Sequence, residues 1–324
     1  MNNGRLHNHQ KWGQHMNAIS KWLWALAMLA GPGAANAALL AADGGLLVND
    51  PDANLTWVAD ANLMATQAAA SGNVLAFVQT IIDDSGGVIH DTPNAYDTPA
   101  DSGVYNLSAS DFNTATGAMS WYGAQAWVHH LNVIKYRGYS DWRLPTTVDN
   151  NGSYGSPPSP SSSEMTNLFY GELGQVSGQS IIATHSGNYA LFSNVQGQYW
   201  SGTEDAQAPN VSWFFAPFYG GQGNITKDVQ YGALAVRTGL APMPPSALLS
   251  ALRNEVRGVE PEGLSDKVEH AQHDLRATCE EVARFVHEVH AQAGKKISPQ
   301  LEAKLIADAE AIEAAIGCQP QPPG

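Results

Sequence analysis

Five aspartates lie close together in one polar stretch of the sequence and could bind a metal ion. The stretch, DDSGGVIHDTPNAYDTPADSG, is rich in Gly, Pro, Thr and Asn, and its carboxylates belong to Asp83, Asp84, Asp91, Asp97 and Asp101. Calcium takes roughly six to eight oxygen ligands from the carboxylates and carbonyls of flexible loops. The spacing lacks the regular alternation of an EF-hand loop, so two interpretations stay open: a bound Ca²⁺, or a merely solvated acidic loop. No other cofactor is expected.

A second group of candidate ligand-binding residues combines aromatic rings with acids. Tyr154 and Tyr219 are flanked by Asn and Gly rather than by core residues, and Glu204 and Asp205 follow the sequence YWSGT. Aromatic faces can cover the C–H groups of a sugar ring while polar side chains hydrogen-bond its hydroxyls. For the two adjacent acids, a solvated turn is the commoner explanation.

The sequence lacks the motifs of the common catalytic sites. It contains no HExxH, no GxSxG and no P-loop. His129 and His130 are adjacent, so on a helix they occupy different faces and cannot form an i, i+4 metal pair. We therefore expect no enzymatic activity. The alternative is an enzyme with an unrecognised site, where Glu204, Asp205 and Asp228 would converge with a histidine in one pocket.

Charge and hydropathy exclude two classes of partner. The 324 residues include 16 Lys+Arg and 30 Asp+Glu, which gives a net charge of −14. Nucleic acids and anionic membrane surfaces both require a basic footprint, so neither is an expected partner. No run of about 20 apolar residues occurs, so we expect no transmembrane span.

The first 37 residues have the order of a secretory signal peptide. Basic residues come first, the apolar run LWALAMLA follows, and Ala35-Asn36-Ala37 provides a small-x-small cleavage signal. We therefore expect residues 1–37 to be removed and the protein to be exported. The destination is the periplasm, the cell surface or the extracellular space.

Composition divides the rest of the chain into two domains. Residues 38–240 hold all six remaining Trp and no Cys, whereas residues 247–318 hold both Cys and no Trp. Residues 241–246 form a Pro-rich linker between them, and residues 319–324 form a flexible tail. Within the first domain, residues 150–163 (NNGSYGSPPSPSSS) are a low-complexity loop that we expect to be too polar and Pro-rich to pack.

Periodicity predicts an α+β fold for the first domain. Ser120 is a predicted N-cap, and apolar residues at helical spacing follow it; a second helix starts near Ser163. Short segments separated by Gly-containing turns are typical of an antiparallel sheet. The predicted strands cover residues 55–58, 199–201, 211–218 and 233–237.

Residues 138–146, GYSDWRLPT, resemble the signature of the Lcl C-terminal domain family, a domain of unknown function in exported bacterial proteins. LTWVAD at 55–60, YWSGTE at 199–204 and AVRTG at 235–239 flank it in the same order, so the resemblance spans about residues 44–240. It implies a C-type-lectin-like α+β fold with two helices, a twisted antiparallel sheet and long loops. The related formylglycine-generating enzymes depend on cysteine, which this domain lacks.

The motif side chains have two interpretations. We expect Asp141 and Arg143 to pair and to fix the segment before Pro145, because half-buried charges normally pair. The alternative is that Arg143 faces a ligand. Large aromatics at regular element positions usually supply core area, so the Trp residues 57, 127, 200 and 213 are expected in the core. The residues assigned a structural role are Trp57, Asp141, Trp142, Arg143, Pro145, Trp200 and Arg237.

Residues 247–318 show the apolar spacing of an all-α helical hairpin or small bundle. Ser298 is a predicted N-cap followed by Pro299, and Gly317 ends the last helix. The pattern resembles the FIMAH domain, found at the C-termini of bacterial secreted proteins. That resemblance implies an accessory or interaction role.

Cys279 and Cys318 are the only cysteines, and in an exported chain we expect them to form a disulfide. In a simple hairpin, however, Cys318 would lie about two turns, or roughly 12 Å, beyond the residue opposite Cys279. Closure therefore requires a skewed packing or a chain reversal after Gly317.

These features favour an exported, non-catalytic binding or adhesion protein, whose lectin-like domain recognises a surface or extracellular ligand. The ligand could be a glycan or a protein. A sulfated polysaccharide is disfavoured, since residues 38–240 carry 5 basic and 17 acidic residues. The alternatives are the enzyme considered above and a structural component of an envelope or extracellular assembly.

Overall fold

Two separate hydrophobic cores divide the protein. The computed structural model describes residues 39–159, 161–243, 245–256, 268 and 275–318. One core lies in residues 39–243, here called the Trp-rich region, and the other in residues 245–318, the helical region. The predicted signal peptide and tail lie outside the described residues. No helix within the described residues is both long and apolar enough to cross a membrane.

A four-stranded antiparallel sheet joins the two ends of the Trp-rich region. Its strands are β1 (Leu40–Ala42), β2 (Leu47–Asp50), β3 (Leu55–Val58) and β11 (Val236–Thr238), in the order β1-β2-β3-β11. Trp57 on β3 pairs with Val236 and is fully buried. The first and last strands of the region are therefore held in one sheet.

The remaining strands form a second antiparallel sheet and two hairpins. The sheet contains β8 (Tyr199–Glu204), β9 (Val211–Ala216) and β10 (Gly221–Thr226), in the order β10-β9-β8. The register of β8 against β9 shifts between Trp200 and Glu204. The hairpins pair β4 (Val88–His90) with β5 (Val104–Asn106), and β6 (Phe112–Asn113) with β7 (Ala118–Met119).

The two predicted helices begin at their predicted caps. Ser120 Oγ accepts a hydrogen bond from Gly123 N at 3.0 Å and starts the helix Trp121–Val133. Ser163 Oγ likewise accepts from Thr166 N at 2.9 Å. The one-turn helix Glu164–Thr166 that follows widens into a π-helix, Asn167–Glu172.

The Trp-rich region contains more helices than the expected two, namely Leu63–Ala70, Val74–Asp84 and Ile181–Thr184. The Asn73 side chain caps the second of these by accepting from Ala76 N at 3.1 Å, and Val78, Ile81 and Ile82 bury its apolar face. The placement of Asp83 and Asp84 in a loop was therefore wrong, because both residues end a helix.

Part of the low-complexity loop packs against the second sheet, contrary to expectation. Gly155 bridges Gln222 on β10, and Ser153, Ser162 and Ser163 are buried. The Gln222 amide donates to Ser153 O at 2.8 Å and to Ser162 Oγ at 3.1 Å, and accepts from Ser163 Oγ. The Gln222 amide therefore hydrogen-bonds polar groups of the Ser-rich loop, so these groups can be buried without losing their partners.

The helical region consists of Pro245–Val256, Leu275–Gln292 and Pro299–Ile316 among the described residues. The first helix begins two residues before the predicted start at 247. Gly317 adopts a left-handed conformation (φ 78°), and after this reversal Cys318 N donates to Glu313 O at 2.9 Å. Cys279 and Cys318 form a disulfide with Cα atoms 5.8 Å apart. The chain reversal at Gly317 therefore meets the requirement, stated above, for closing the disulfide between Cys279 and Cys318.

Candidate functional site

An open cleft of about 520 Å³ lies where four segments of the Trp-rich region meet. Its walls come from the helix Trp121–Val133, from Val88–His90 (β4) with Ser85, from the motif residues Trp142 and Arg143, and from the end of β8 at Gly202 and Glu204. It is larger than a second cavity of about 360 Å³ described below.

One stripe of the helix Trp121–Val133 forms a long wall of the cleft. Trp121, Gln125, Val128, His129 and Asn132 all line it, at the spacing of residues that share a helix face. The Gln125 amide makes no hydrogen bond to the residues that the structure describes. His129 is exposed, and its Nε2 lies 3.1 Å from Asp84 O. The helix therefore presents free hydrogen-bonding capacity beside apolar surface.

The facing strand adds further polar groups. His90 is exposed at the end of β4, while Val88 and Ile89 are half-buried. The Ser85 hydroxyl is buried and has no hydrogen-bond partner within the described residues. Donors and acceptors without protein partners thus lie on both sides of the cleft.

The GYSDWRLPT motif is fixed against the same helix. Asn132 Nδ2 donates to Trp142 O at 2.8 Å, and Trp142 N donates to Asn132 Oδ1 at 2.6 Å. Trp142 is buried, and its indole Nε1 donates to Tyr136 O at 3.0 Å. Pro145 O accepts from Gly202 N at 2.8 Å, which ties the motif to β8.

The prediction that Asp141 and Arg143 pair with each other is wrong. Arg143 makes a two-pronged ion pair with Glu164, with Nη1 and Nη2 at 2.6 and 2.7 Å from the carboxylate oxygens. Asp141 accepts instead from Arg237 Nε at 2.8 Å, and the Arg237 guanidinium lies 4.1 Å from the centre of the Tyr139 ring. Residues 139–146 form no regular strand apart from the isolated bridge at Arg143, and each charge pairs with a residue from another segment of the chain.

Arg143 lines the cleft as well as pairing with Glu164, and the interpretation that it faces a ligand stays a prediction. Arg143 N and O also bridge Val236 on β11. The other tryptophans expected in the core are buried: Trp57, Trp127, Trp200 and Trp213 are 0–1% exposed.

A fully buried lysine, Lys227, contacts two residues that line the cleft, Trp121 and Glu204. Lys227 Nζ lies 2.5 Å from Asp91 Oδ2, 2.6 Å from Glu204 Oε2 and 4.7 Å from the centre of the Trp121 ring. The side chains of Lys227 and Asp91 are 0% exposed, and that of Glu204 is 23% exposed. Burial raises the pKa of Asp91, and the Lys227 ammonium opposes that shift. Glu204 also accepts from Thr92 N and faces the cleft.

The five aspartates of the acidic stretch lie in three different surroundings. Asp84 Oδ2 lies 2.6 Å from His130 Nδ1, and Asp83 accepts from Gln79. Asp97 accepts from the backbone of Asn94 and Gly103, and the Asn94 amide also contacts Asp91 at 2.9 Å. Asp101 is exposed at the tip of the loop.

Only Asp91 and Asp97 are brought together, around Asn94. Among the described residues, no group of three or more His, Cys, Asp or Glu side chains is arranged to hold a metal ion. The calcium interpretation therefore stays a prediction.

Tyr154 and Asp205 meet at the second sheet. The Asn224 amide on β10 contacts both the Tyr154 hydroxyl and the Asp205 carboxylate, and the Tyr154 ring packs 4.5 Å from Trp213. Tyr154 is 42% exposed, so one ring face is available to solvent. Tyr219 lies apart from this pair, packed edge-on against Phe218 and over Gly221.

The three acids considered for catalysis do not share one pocket. Glu204 lines the cleft, Asp205 contacts Asn224, and Asp228 accepts from Tyr96 Oη at 3.0 Å. The histidines that line the cleft are His90 and His129, and Glu204 is the acid beside them. The cleft places hydrogen-bond donors and acceptors beside the apolar side chains of Val88, Ile89 and Val128.

A smaller cavity of about 360 Å³ is lined by Glu164, the ion-pair partner of Arg143. Glu164 and Asn167 line it together with hydroxyls and apolar residues: Thr146, Thr147, Ser161, Ser163, Ala53, Leu55 and Val148. The Thr147 hydroxyl is buried without a partner among the described residues.

Sequence reasoning missed Gln125, Asn132, His90 and Lys227 as parts of the site. For the helical residues a signal was present: polar Gln125, His129 and Asn132 recur beside Trp121 at the spacing of one helix face. For Lys227 there was none, because its partners lie 23 and 136 residues away along the chain.

We compared the chain with protein-family models, curated proteins and solved structures, and none of them matches it.

Proposed function

We propose that the protein is an exported, non-catalytic binding protein whose Trp-rich region binds a neutral glycan in the cleft. The observation that carries the proposal is the combination of free polar side chains, Gln125 and His90, with the half-buried apolar side chains of Val88 and Ile89 in one open cleft. Sugars present hydroxyls and C–H faces side by side, and they need this mixture of groups.

The charge distribution favours a neutral glycan over a polyanionic one. Residues 38–240 contain five basic residues, and four of them are in ion pairs with acids of the same region: Arg137, Arg143, Lys227 and Arg237. Their positive charge is neutralised internally, while unpaired carboxylates keep the surface negative. A sulfated or phosphorylated chain would be repelled.

Export is supported by the disulfide between Cys279 and Cys318, since disulfides persist in oxidising compartments. For the Trp-rich region we propose a C-type-lectin-like fold of the Lcl C-terminal type. Its support is the set of antiparallel sheets, the helix Trp121–Val133 before the motif, and the sheet that contains both the first and the last strand of the region. For the helical region we propose a FIMAH-like accessory role.

The test is a screen of the mature chain, residues 38–324, against neutral and anionic glycans, with calcium and with chelator. We expect binding of a neutral glycan in both conditions. Gln125→Ala should then weaken it about tenfold, since a lost hydrogen bond costs roughly 1–1.5 kcal/mol. The matched control is Gln207→Ala, because Gln207 is exposed and lies outside the cleft. An equal loss in both variants, or no neutral glycan bound, would refute the proposal.

A further inference from the structure

The Lys227 ammonium lies between two carboxylates, the ligand type that divalent metal ions prefer in proteins. Two carboxylate oxygens, from Asp91 and Glu204, approach Nζ to 2.5 and 2.6 Å, and the Trp121 ring covers another side at 4.7 Å. The lysine side chain has no solvent-exposed surface. Burying an ammonium costs several kcal/mol unless it is paired and hydrogen-bonded, so this arrangement demands both carboxylates.

The three charged groups come from distant segments of the chain. Asp91 begins the acidic loop after β4, Glu204 ends β8, and Lys227 follows β10. The Asn94 amide holds Asp91 Oδ2 at 2.9 Å, and Thr92 N donates to Glu204. The ammonium therefore connects the acidic loop to both outer strands of the second sheet, as a structural metal ion would.

One oxygen of this cage is unused. Asp91 Oδ1 is buried and has no hydrogen-bond partner in the described part of the chain. The Lys227 ammonium contacts one oxygen of each carboxylate, whereas a divalent cation can bind both oxygens of a carboxylate. The cage thus has more oxygen ligands than its ammonium satisfies.

We propose that Lys227 is a built-in cation that occupies the place of a divalent metal ion in the acidic loop, and that it positions Glu204 at the wall of the cleft. Asp91 and Glu204 would bind a metal ion only when the ammonium is absent. This inference is independent of which ligand the cleft takes.

The experiment replaces Lys227 in the mature chain and asks whether a metal ion takes over. Lys227→Ala should melt well below the unaltered protein in chelator, because it leaves two carboxylates facing an empty space. Added Ca²⁺ should recover most of the lost melting temperature, and Tb³⁺ should give luminescence sensitised through Trp121. Neither ion should shift the melting of the unaltered protein or luminesce with it.

Two variants separate a specific site from general destabilisation. Lys227→Met keeps the apolar stem against Trp121 but fills the space, so it should be destabilised without rescue by Ca²⁺. In the double variant Lys227→Ala with Asp91→Asn, one carboxylate is lost and rescue should disappear. Equal rescue of the Ala and Met variants, no rescue of Lys227→Ala, or sensitised Tb³⁺ luminescence with Lys227 in place would each overturn the proposal.

Discussion

Glu172 shows how one buried carboxyl can set a pH dependence for the whole protein. It ends the π-helix Asn167–Glu172 and is 7% exposed. Burial raises its pKa from 4.5 to about 7, and the negative charges of Asp50 and Asp52 add to the shift. Because the folded protein favours the protonated form, the stabilisation is fully present below the unfolded pKa and is lost as the pH rises through about 7.

We therefore expect Glu172→Gln to remove part of this pH dependence. Near pH 4 the variant and the unaltered protein should be about equally stable, and at pH 8 the variant should be more stable by about 1–2 kcal/mol, after allowance for solvent screening. The measurement is urea unfolding, followed by Trp fluorescence, at several pH values. Asp50, whose pKa burial also raises, remains in the variant and should preserve a residual slope.

The matched control is Asp101→Asn, since Asp101 is exposed and belongs to the Trp-rich region whose unfolding the fluorescence reports. It should leave the pH profile unchanged. If Glu172→Gln and the unaltered protein lose stability in parallel between pH 5 and 8, the assignment to Glu172 is wrong.

At the scale of elements, Gln222 connects β10 to the Ser-rich loop and to the start of the π-helical segment. Its amide contacts Ser153 O, Ser162 Oγ, Ser163 Oγ and Thr166 Oγ1. Replacing it by Met keeps the volume but leaves these groups unsatisfied. An unsatisfied buried polar group costs roughly 1–3 kcal/mol.

We expect Gln222→Met to lower the free energy of unfolding by about 2 kcal/mol and to open the loop at residues 150–163 to protease. Limited proteolysis with mass-spectrometric mapping, alongside urea unfolding, measures both effects. The control is Gln207→Met at an exposed position. Cleavage distributed evenly over the chain would show that the loop is not what Gln222 anchors.

The elements that could be predicted from sequence are those with strong local signals. Ser120 and Ser163 mark helix starts because their side chains cap the first turns. Gly317 ends a helix because glycine tolerates a left-handed conformation. The helix Val74–Asp84 was missed although the Asn73 side chain caps it. Its exposed face carries the apolar residues Val74 and Leu75, so apolar and polar residues do not separate clearly at helical spacing.

The candidate site was less predictable, because distant pairing decides it. Glu204 was identified as a candidate, but the lysine that neutralises it comes from another strand end, and only the register of the sheet brings the two together. Asp141 and Arg143 are neighbours in sequence, yet their partners are Arg237 and Glu164. The local sequence shows which residues are charged, but the tertiary structure determines which of them form ion pairs.

At the scale of the whole molecule, the two cores should unfold as separate units. The Trp-rich region contains every described Trp and no Cys, and the helical region contains the Cys279–Cys318 disulfide and no Trp. Fluorescence of the mature chain therefore reports one core, and reduction affects the other. Circular dichroism at 222 nm reports both regions, and the helical region contributes to it chiefly through the helices Leu275–Gln292 and Pro299–Ile316.

Reducing the disulfide should lower the stability of the helical region alone. The bond closes a loop of 39 residues, and its loss should cost roughly 3–4 kcal/mol in the chain-entropy model. We expect a reductant to shift the 222 nm transition to lower temperature while the Trp fluorescence transition stays in place. Cys279→Ser with Cys318→Ser should reproduce the shift without reductant. If fluorescence and circular dichroism shift together, the two cores unfold as one cooperative unit and their independence is refuted.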